Sequence, residues 1–224
     1  MPKLGSLTTM RHTLRQASLA PLLLLWGLGA LAAPSASTLQ ACADMDAALP
    51  SGQVIHSTMS IQYHLQTAKY WSTALRDVDP ACIVLPTSAA QVSSVVQVLN
   101  RYPDVEFAVK SGGHDPNVGH ATVQDGVLIA FHDLVGATYD AEANLAHVKP
   151  GGEWNDVIGD LEPSGVTIVG GRLGLVGVGG YLLQGGISFL SAQYGLAADV
   201  RKLRSLLSIL GFHDELIHRY YRTL

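Results

Sequence analysis

Glycine is concentrated in one part of this chain, and that concentration limits what the chain can fold into. Of 23 glycines in 224 residues, 13 lie between positions 151 and 195, most densely at 170–186. Glycine has no Cβ atom, so its backbone can adopt positive φ angles and approach a neighbouring group closely. The sequence therefore predicts a segment whose shape is set by backbone contacts.

The residues alone leave two explanations for these glycines. One is a set of tight turns and bulges in a sheet. The other is an array of backbone N–H groups aimed at an anion such as a pyrophosphate, and a second glycine segment, Ser111-Gly112-Gly113, favours it. Residues 33–200 carry 16 acidic and 6 basic side chains. Backbone dipoles, and not net charge, would therefore have to attract such an anion.

Composition excludes two classes of protein. Apolar residues make up 48% of the chain, which is enough to build a core and excludes general disorder. The net charge is −4 and no stripe of lysine and arginine is present, so we expect no nucleic-acid partner.

The first 32 residues have the pattern of a secretory signal peptide. Lys3, Arg11 and Arg15 precede an apolar stretch that ends in Ala30-Leu31-Ala32, a small-residue cleavage site. A membrane anchor is the alternative, but Pro21 interrupts an apolar run that is already short for a spanning helix. We expect a secreted protein, with no membrane association after cleavage and no protein partner.

If the chain is exported, its two cysteines are expected to be oxidised. In an oxidising compartment Cys42 and Cys82 are expected to form a disulfide, with two buried free thiols as the alternative. Neither cysteine has the spacing of a zinc ligand. A metal site is not expected, because the remaining candidates match no standard ligand pattern: His114, Asp115, His120, His132 and Asp133.

Short apolar runs alternate with amphipathic stretches through the middle of the chain. Ser88, with Gln91 three residues later, predicts a helix start, and the apolar residues of 92–99 share one helical face. A second short helix is predicted from Trp154. Strands are predicted at 83–85, 105–110, 126–131, 145–149 and 166–169. This alternation favours an α/β or α+β domain.

Common nucleotide and hydrolase motifs do not match. A Rossmann fingerprint starting at Gly177 would need a third glycine at position 182, which is leucine. The chain has no GxxxxGK[ST], HExxH or GxSxG sequence.

Several motifs in a fixed order do resemble a known family. They are Tyr70-Trp71-Ser72, Pro80-Ala-Cys-Ile-Val-Leu-Pro-Thr87, Lys110-Ser-Gly-Gly-His-Asp-Pro-Asn117, Pro150-Gly-Gly-Glu-Trp154, Val169-Gly-Gly-Arg172, Val176-Gly-Val-Gly-Gly180 and Gly185-Gly-Ile-Ser-Phe189. Over roughly 40–199 the chain resembles the berberine-bridge-enzyme-like oxidoreductases of the vanillyl-alcohol-oxidase superfamily, in particular their secreted fungal members.

The resemblance implies an α+β fold, a PCMH-type FAD-binding domain of two small α/β subdomains at 78–199, after a helical segment at 33–77. It implies that Ser111, Gly112 and Gly113 hold the FAD pyrophosphate and that His114 bonds covalently to the flavin. The remaining cofactor contacts it implies are Val176, Gly177, Gly179, Gly180, Gly185, Gly186 and Asp199. Relatives with a second covalent link have cysteine at the position of Leu173, so a single link through His114 is expected.

The resemblance also implies an activity, the oxidation of a small secondary metabolite by hydride transfer to flavin. It ends near Asp199, and residues 200–224 differ from the family. We expect the substrate domain to be missing and assign no catalytic residue. The tail is either a retained intron or frameshift, or a genuine helix with Leu203, Leu206, Leu207 and Leu210 on one face. The alternative function is a non-catalytic secreted fragment with weak or no flavin binding.

Overall fold

The computed structural model of the chain describes residues 33–56 and 58–199. The predicted signal peptide at 1–32 and the tail at 200–224 lie outside the described residues. In chain order the elements are α1 (Ala36–Ala48), β1 (Val54–Ile55), α2 (Ile61–Ala68), β2 (Cys82–Val84), α3 (Ala89–Leu99), β3 (Phe107–Lys110), β4 (Val127–Ala130), β5 (Ala137–Asp140), β6 (Leu145–Val148), α4 (Trp154–Leu161), α5 (Val178–Leu183) and α6 (Ser191–Tyr194). Short 3-10 turns lie at Thr73–Leu75, Phe131–Asp133 and Glu162–Ser164.

Two sheets organise the described residues. The larger has the strand order β1-β2-β4-β3, in which β4 runs parallel to both β2 and β3 while β1 is antiparallel to β2. The smaller is the antiparallel hairpin β5–β6. The mixture of helices with parallel and antiparallel strands confirms the predicted α+β class.

The two central strands are buried on both faces. Every residue of β2 and of β4 is buried, which explains why both were visible in the sequence as continuous apolar runs. One set of alternating side chains packs against α1 and α3, and the opposite set packs against Tyr63 of α2. The hydroxyl of Tyr63 donates a hydrogen bond to the Pro80 carbonyl at 2.9 Å and ties α2 to the start of β2.

Helix α3 begins where the capping pattern predicted. The Ser88 hydroxyl accepts a hydrogen bond from the Gln91 N–H at 3.3 Å. The returning bond differs from the standard capping box, because the Gln91 side chain accepts from the N–H of Thr87, at 2.7 Å, one residue before the cap.

The predicted disulfide is confirmed. Cys42 on α1 and Cys82 on β2 are bonded, with their Cα atoms 6.1 Å apart. Both residues are almost completely buried in the core between α1, α3 and the sheet. The bond therefore fastens the first helix to a central strand.

A separate core lies over the β5–β6 hairpin. Trp154 at the start of α4 is fully buried and packs with Val157 and Leu161 of the same helix. Val178 of α5 completes this core from the glycine-rich part of the chain. The helix predicted from Trp154 is thus present and its apolar face is inward.

One predicted strand is wrong and two strands were missed. Residues 166–169 form no strand; Ile168 is instead buried in irregular chain beside Trp154, so its apolar character reflects core packing and not a ladder of hydrogen bonds. Strand β1 has only two residues, and β5 is half-exposed with a polar sequence, so neither has an apolar run that would mark it. In the part of the chain that the structure describes, no helix has both the length and the apolar character to span a membrane.

Candidate functional site

The loop 111–114 leaves the carboxyl end of strand β3. Ligands of open sheets with parallel strands commonly bind at this edge. Gly113 has a φ of +66°. It is buried against Lys69 and Tyr70, and a Cβ atom there would lie 2.6 Å from the carbonyl oxygen of Lys69. Both the backbone angle and the space therefore require glycine at this position.

The two glycine segments predicted to act together are in direct contact. A Cβ atom on Gly177 would lie 2.6 Å from the Cα of Gly112, so the two backbones touch where both residues lack side chains. The Ser111 hydroxyl donates to the Pro150 carbonyl at 2.6 Å and accepts from the Gly179 N–H at 3.2 Å. Three separate parts of the sequence are thereby joined around one serine.

These contacts explain some glycines by the protein's own packing. Gly112, Gly177 and Gly179 are required because neighbouring backbone or the Ser111 side chain occupies the space of a Cβ atom. Gly180 is different. It is exposed within α5 and its φ is not positive. Apart from the backbone of its own helix, no atom of residues 33–56 or 58–199 lies within 4 Å of the position of its Cβ. No contact among the described residues therefore requires glycine at 180.

The loop offers hydrogen-bond donors in succession. Among residues 33–56 and 58–199, no oxygen accepts a hydrogen bond from the backbone N–H of Gly112, Gly113 or His114. Consecutive N–H groups in a loop that includes a left-handed residue form an anion-binding concavity. The residues present therefore fit the pyrophosphate of FAD, whose negative charge needs such donors.

Four other predicted contact residues, Val176, Gly185, Gly186 and Asp199, lie further along the chain and bond to their own neighbours. The carbonyls of Gly185 and Gly186 accept hydrogen bonds from the N–H groups of residues 198 and 197, each at 2.9 Å. The Asp199 carboxylate accepts from the Leu196 N–H at 2.8 Å. Val176 accepts at its carbonyl from the Trp154 N–H at 3.2 Å. In the described part of the chain, no hydrogen bond joins these four residues to the loop 111–114.

His114 is exposed and has an aromatic neighbour that the sequence analysis did not assign to the site. The centroid of its ring lies 5.3 Å from that of Trp71, with an angle of 57° between the planes. The backbone N–H of Trp71 also donates to the Gly113 carbonyl at 3.0 Å. Trp71 was visible only as part of the Tyr70-Trp71-Ser72 motif, because its contact with His114 spans 43 positions of sequence.

A buried lysine lies beneath the loop and was also missed as a site residue. Lys110 ends β3 with only 3% of its surface exposed, and its ammonium group donates to the Gln66 carbonyl at the end of α2. The same ammonium group lies 4.1 Å from the centroid of the Tyr70 ring. Burial, with the nearby charge of Lys69, lowers the pKa of Lys110 to about 8.

Asp115 shapes the chain that follows His114. Its carboxylate accepts hydrogen bonds from the backbone and side-chain N–H groups of Asn117, at 2.9 and 2.8 Å, and lies 2.9 Å from Nδ1 of His120. These bonds, the backbone N–H of Asn117 first, lower the pKa of Asp115. Among the described residues, no three acidic, histidine or cysteine side chains are grouped so that they could hold a metal ion.

The sequence of residues 80–207 matches the family described as the FAD binding domain. The match covers more than half of the chain and includes both contacting glycine segments. The chain is therefore a member of this family, and its cofactor is FAD.

Two proteins with related sequences carry names that refer to FAD. The chain is 41% identical over 151 residues to an uncharacterized FAD-linked oxidoreductase of Arthroderma benhamiae, covering 67% of this chain and 30% of that protein. It is 39% identical over 152 residues to the FAD-dependent monooxygenase drtC of Aspergillus calidoustus, covering 66% and 29%. The chain thus spans about 30% of the length of these relatives.

A solved structure gives the same relationship in three dimensions. A variant of BBE-like 1 from Physcomitrella patens is 27% identical and superposes with a TM-score of 0.59, over 73% of this chain and 34% of that one. The sequence match and the superposition both indicate an FAD-binding domain, and the matched residues include the two contacting glycine loops. The chain belongs to the FAD binding domain family, and its fold is that of the PCMH-type domain of berberine-bridge-enzyme-like oxidoreductases.

Proposed function

We propose that this chain binds FAD against the loops 111–114 and 177–180 and carries it covalently on His114. The observation that supports this proposal best is the backbone contact between Gly112 and Gly177, which joins two segments 65 positions apart into one surface. The donors of the first loop and the exposed face of α5 at Gly180 lie on these two segments.

Each part of this surface has a role in the proposal. The N–H groups of Gly112, Gly113 and His114 donate to the pyrophosphate, and Ser111 keeps the two loops together through its bonds to Pro150 and Gly179. The missing side chain of Gly180 leaves room for the cofactor to lie close to α5. FAD, when bound, supplies hydride acceptance, which no protein side chain can provide.

The covalent link of the proposal is a bond from a ring nitrogen of His114 to the 8α carbon of the flavin. The imidazole loses its N–H hydrogen and the methyl group loses one C–H hydrogen as the N–C bond forms. Those two hydrogen atoms reduce dioxygen to hydrogen peroxide, so atoms and electrons balance. Neutral imidazole is nucleophilic near pH 7, and the exposure of His114 leaves it accessible.

For the whole activity we propose the oxidation of a small molecule, of the secondary-metabolite class, by removal of hydride from a carbon next to oxygen or nitrogen. The support is the relationship to fungal FAD-dependent enzymes.

We also propose that the protein is secreted. The signal-like pattern of residues 1–32 and the buried disulfide support this, because disulfides persist in oxidising compartments.

Production of the full chain in a secreting yeast tests the proposal. We expect yellow protein whose flavin stays with the polypeptide after acid precipitation and is visible as fluorescence in a denaturing gel. His114→Ala should abolish the acid-stable flavin and keep bound, extractable FAD. The matched control is His132→Ala, which removes another exposed histidine. Colourless wild-type protein that takes up no added FAD would contradict the proposal and favour a non-catalytic fragment.

A further inference from the structure

Trp71 combines an exposed side chain with a fixed backbone. The preceding residue, Tyr70, is buried, and its hydroxyl donates to the Ala121 carbonyl at 2.8 Å. The backbone N–H of Trp71 donates to the Gly113 carbonyl. Yet 68% of the Trp71 surface is exposed. An indole normally contributes stability by burial, so its position here calls for an explanation other than core packing.

The neighbour of the indole supplies that explanation. Its ring lies beside the imidazole of His114, with 5.3 Å between the centroids. The hydrogen bond to Gly113 fixes the backbone of Trp71 next to the residue that precedes His114. The hydrogen bond joins the two backbones at this point, and the indole occupies the space on one side of the imidazole.

We propose that Trp71 is a positioning residue that holds the His114 imidazole in the orientation needed for attachment to FAD. This inference rests on the proposed function, because it concerns the same covalent bond. Attachment requires a nitrogen lone pair to point at the methyl carbon at close range, and restricting a reacting group to that orientation accelerates such a step. In a freely rotating imidazole the nitrogen lone pair would point away from the methyl carbon most of the time.

Two other roles for Trp71 make different predictions. If the indole only stabilised the fold, its removal would lower the melting temperature. If it were mainly a contact for FAD, its removal would weaken non-covalent binding. A positioning role changes neither quantity and slows only the attachment.

The experiment measures these three quantities separately. Full-length apoprotein from a riboflavin-starved auxotrophic yeast is mixed with FAD, and acid-precipitable flavin fluorescence is followed with time. Non-covalent affinity is measured by titration of FAD fluorescence in the His114→Ala background. The variants are Trp71→Ala, Trp71→Phe and, as a control for loss of an exposed apolar side chain elsewhere, Ile61→Ala, at a position that is 78% exposed.

We expect Trp71→Ala to slow attachment by about tenfold or more, while FAD affinity and melting temperature stay at wild-type values. Trp71→Phe should recover most of the rate, and Ile61→Ala should match wild type. Attachment by Trp71→Ala at the wild-type rate would overturn the positioning role while leaving the proposed function intact. A loss of FAD affinity that accounts for the slower rate would also overturn it. Wild-type protein that attaches no FAD would reject both proposals.

Discussion

The two glycine loops of the candidate site are carried by very different parts of the molecule. The loop 111–114 extends from what we call the sheet region, residues 33–56 and 58–130, where β2 and β4 are buried between helices on both faces. The loop 177–180 belongs to the hairpin region, residues 137–199, which has one core around Trp154. Large apolar side chains are exposed in both regions, among them Ile61 and Val118 in the sheet region and Leu175 and Phe189 in the hairpin region.

The two regions differ in what fixes the position of each loop. In the sheet region the position of the loop follows from a closed core and a disulfide. In the hairpin region it follows from the burial of Val178 in the Trp154 core and from the bonds of Ser111 with Pro150 and Gly179. We therefore expect perturbations of the sheet region to have the larger effect on stability, and those of the hairpin region to act mainly on the cofactor.

The largest effect is expected from removal of the disulfide. Replacing Cys42 and Cys82 together by alanine frees a loop with a sequence separation of 40 residues. In the chain-entropy model this lowers the free energy of unfolding by roughly 4 kcal/mol. Urea unfolding followed by far-UV circular dichroism measures the change. A loss of less than about 1 kcal/mol would show that the buried core, without its covalent link, is enough to hold the sheet region.

The same contrast separates what the sequence could predict from what it could not. Strands β2 and β4 were predictable because doubly buried parallel strands consist of continuous apolar residues. The start of α3 was predictable because its cap is local, made by Ser88 and Gln91. The disulfide followed from a compartment argument, since only two cysteines are present.

The hairpin region was harder because its structure depends on contacts between distant residues. Residues 166–169 have the composition of a strand, but no strand pairs with them in the described part of the chain, and Ile168 is buried beside Trp154. The pairing of Gly112 with Gly177 could be expected only from the family resemblance, since glycine itself does not specify a partner. The proximity of Trp71 to His114 needed the fold, because it depends on the path of the chain between α2 and β2.

A smaller effect, dependent on pH, is expected from the lysine beneath the first loop. The folded protein lowers the pKa of Lys110 from 10.5 to about 8, mainly through burial. Between these values the unfolded chain binds more protons than the folded one, so stability rises with pH. The rise amounts to at most about 3 kcal/mol over the whole window. We expect Lys110→Met to remove it.

Urea unfolding at a series of pH values from 7.5 to 10.5, an interval set by that window, compares wild type with Lys110→Met. Lys149→Met is the control, because Lys149 is exposed and should keep the wild-type slope. Parallel curves for wild type and Lys110→Met would show that the Lys110 ammonium is not desolvated, and the sheet region would then be more open to water than its packing indicates.

The smallest effect on stability, and the most informative about the hairpin region, comes from two matched glycines. Gly159 in α4 and Gly180 in α5 are both exposed helical residues, and apart from the helix's own backbone no atom of the described residues lies within 4 Å of the position of a Cβ. Without the cofactor, alanine at either position should raise the free energy of unfolding by about 0.5–1 kcal/mol, because alanine is the better helix former.

Only one of these two substitutions should change the affinity for FAD. If the cofactor lies against α5, a methyl group at position 180 enters its space, and Gly180→Ala should weaken non-covalent binding by about tenfold, the equivalent of roughly 1.4 kcal/mol. Gly159→Ala should bind FAD as wild type does, since α4 packs over the β5–β6 hairpin. Titration of FAD fluorescence in the His114→Ala background separates this affinity from covalent attachment. Equal affinities for the two alanine variants would show that α5 is not part of the FAD-binding surface, which would then rest on the loop 111–114 alone.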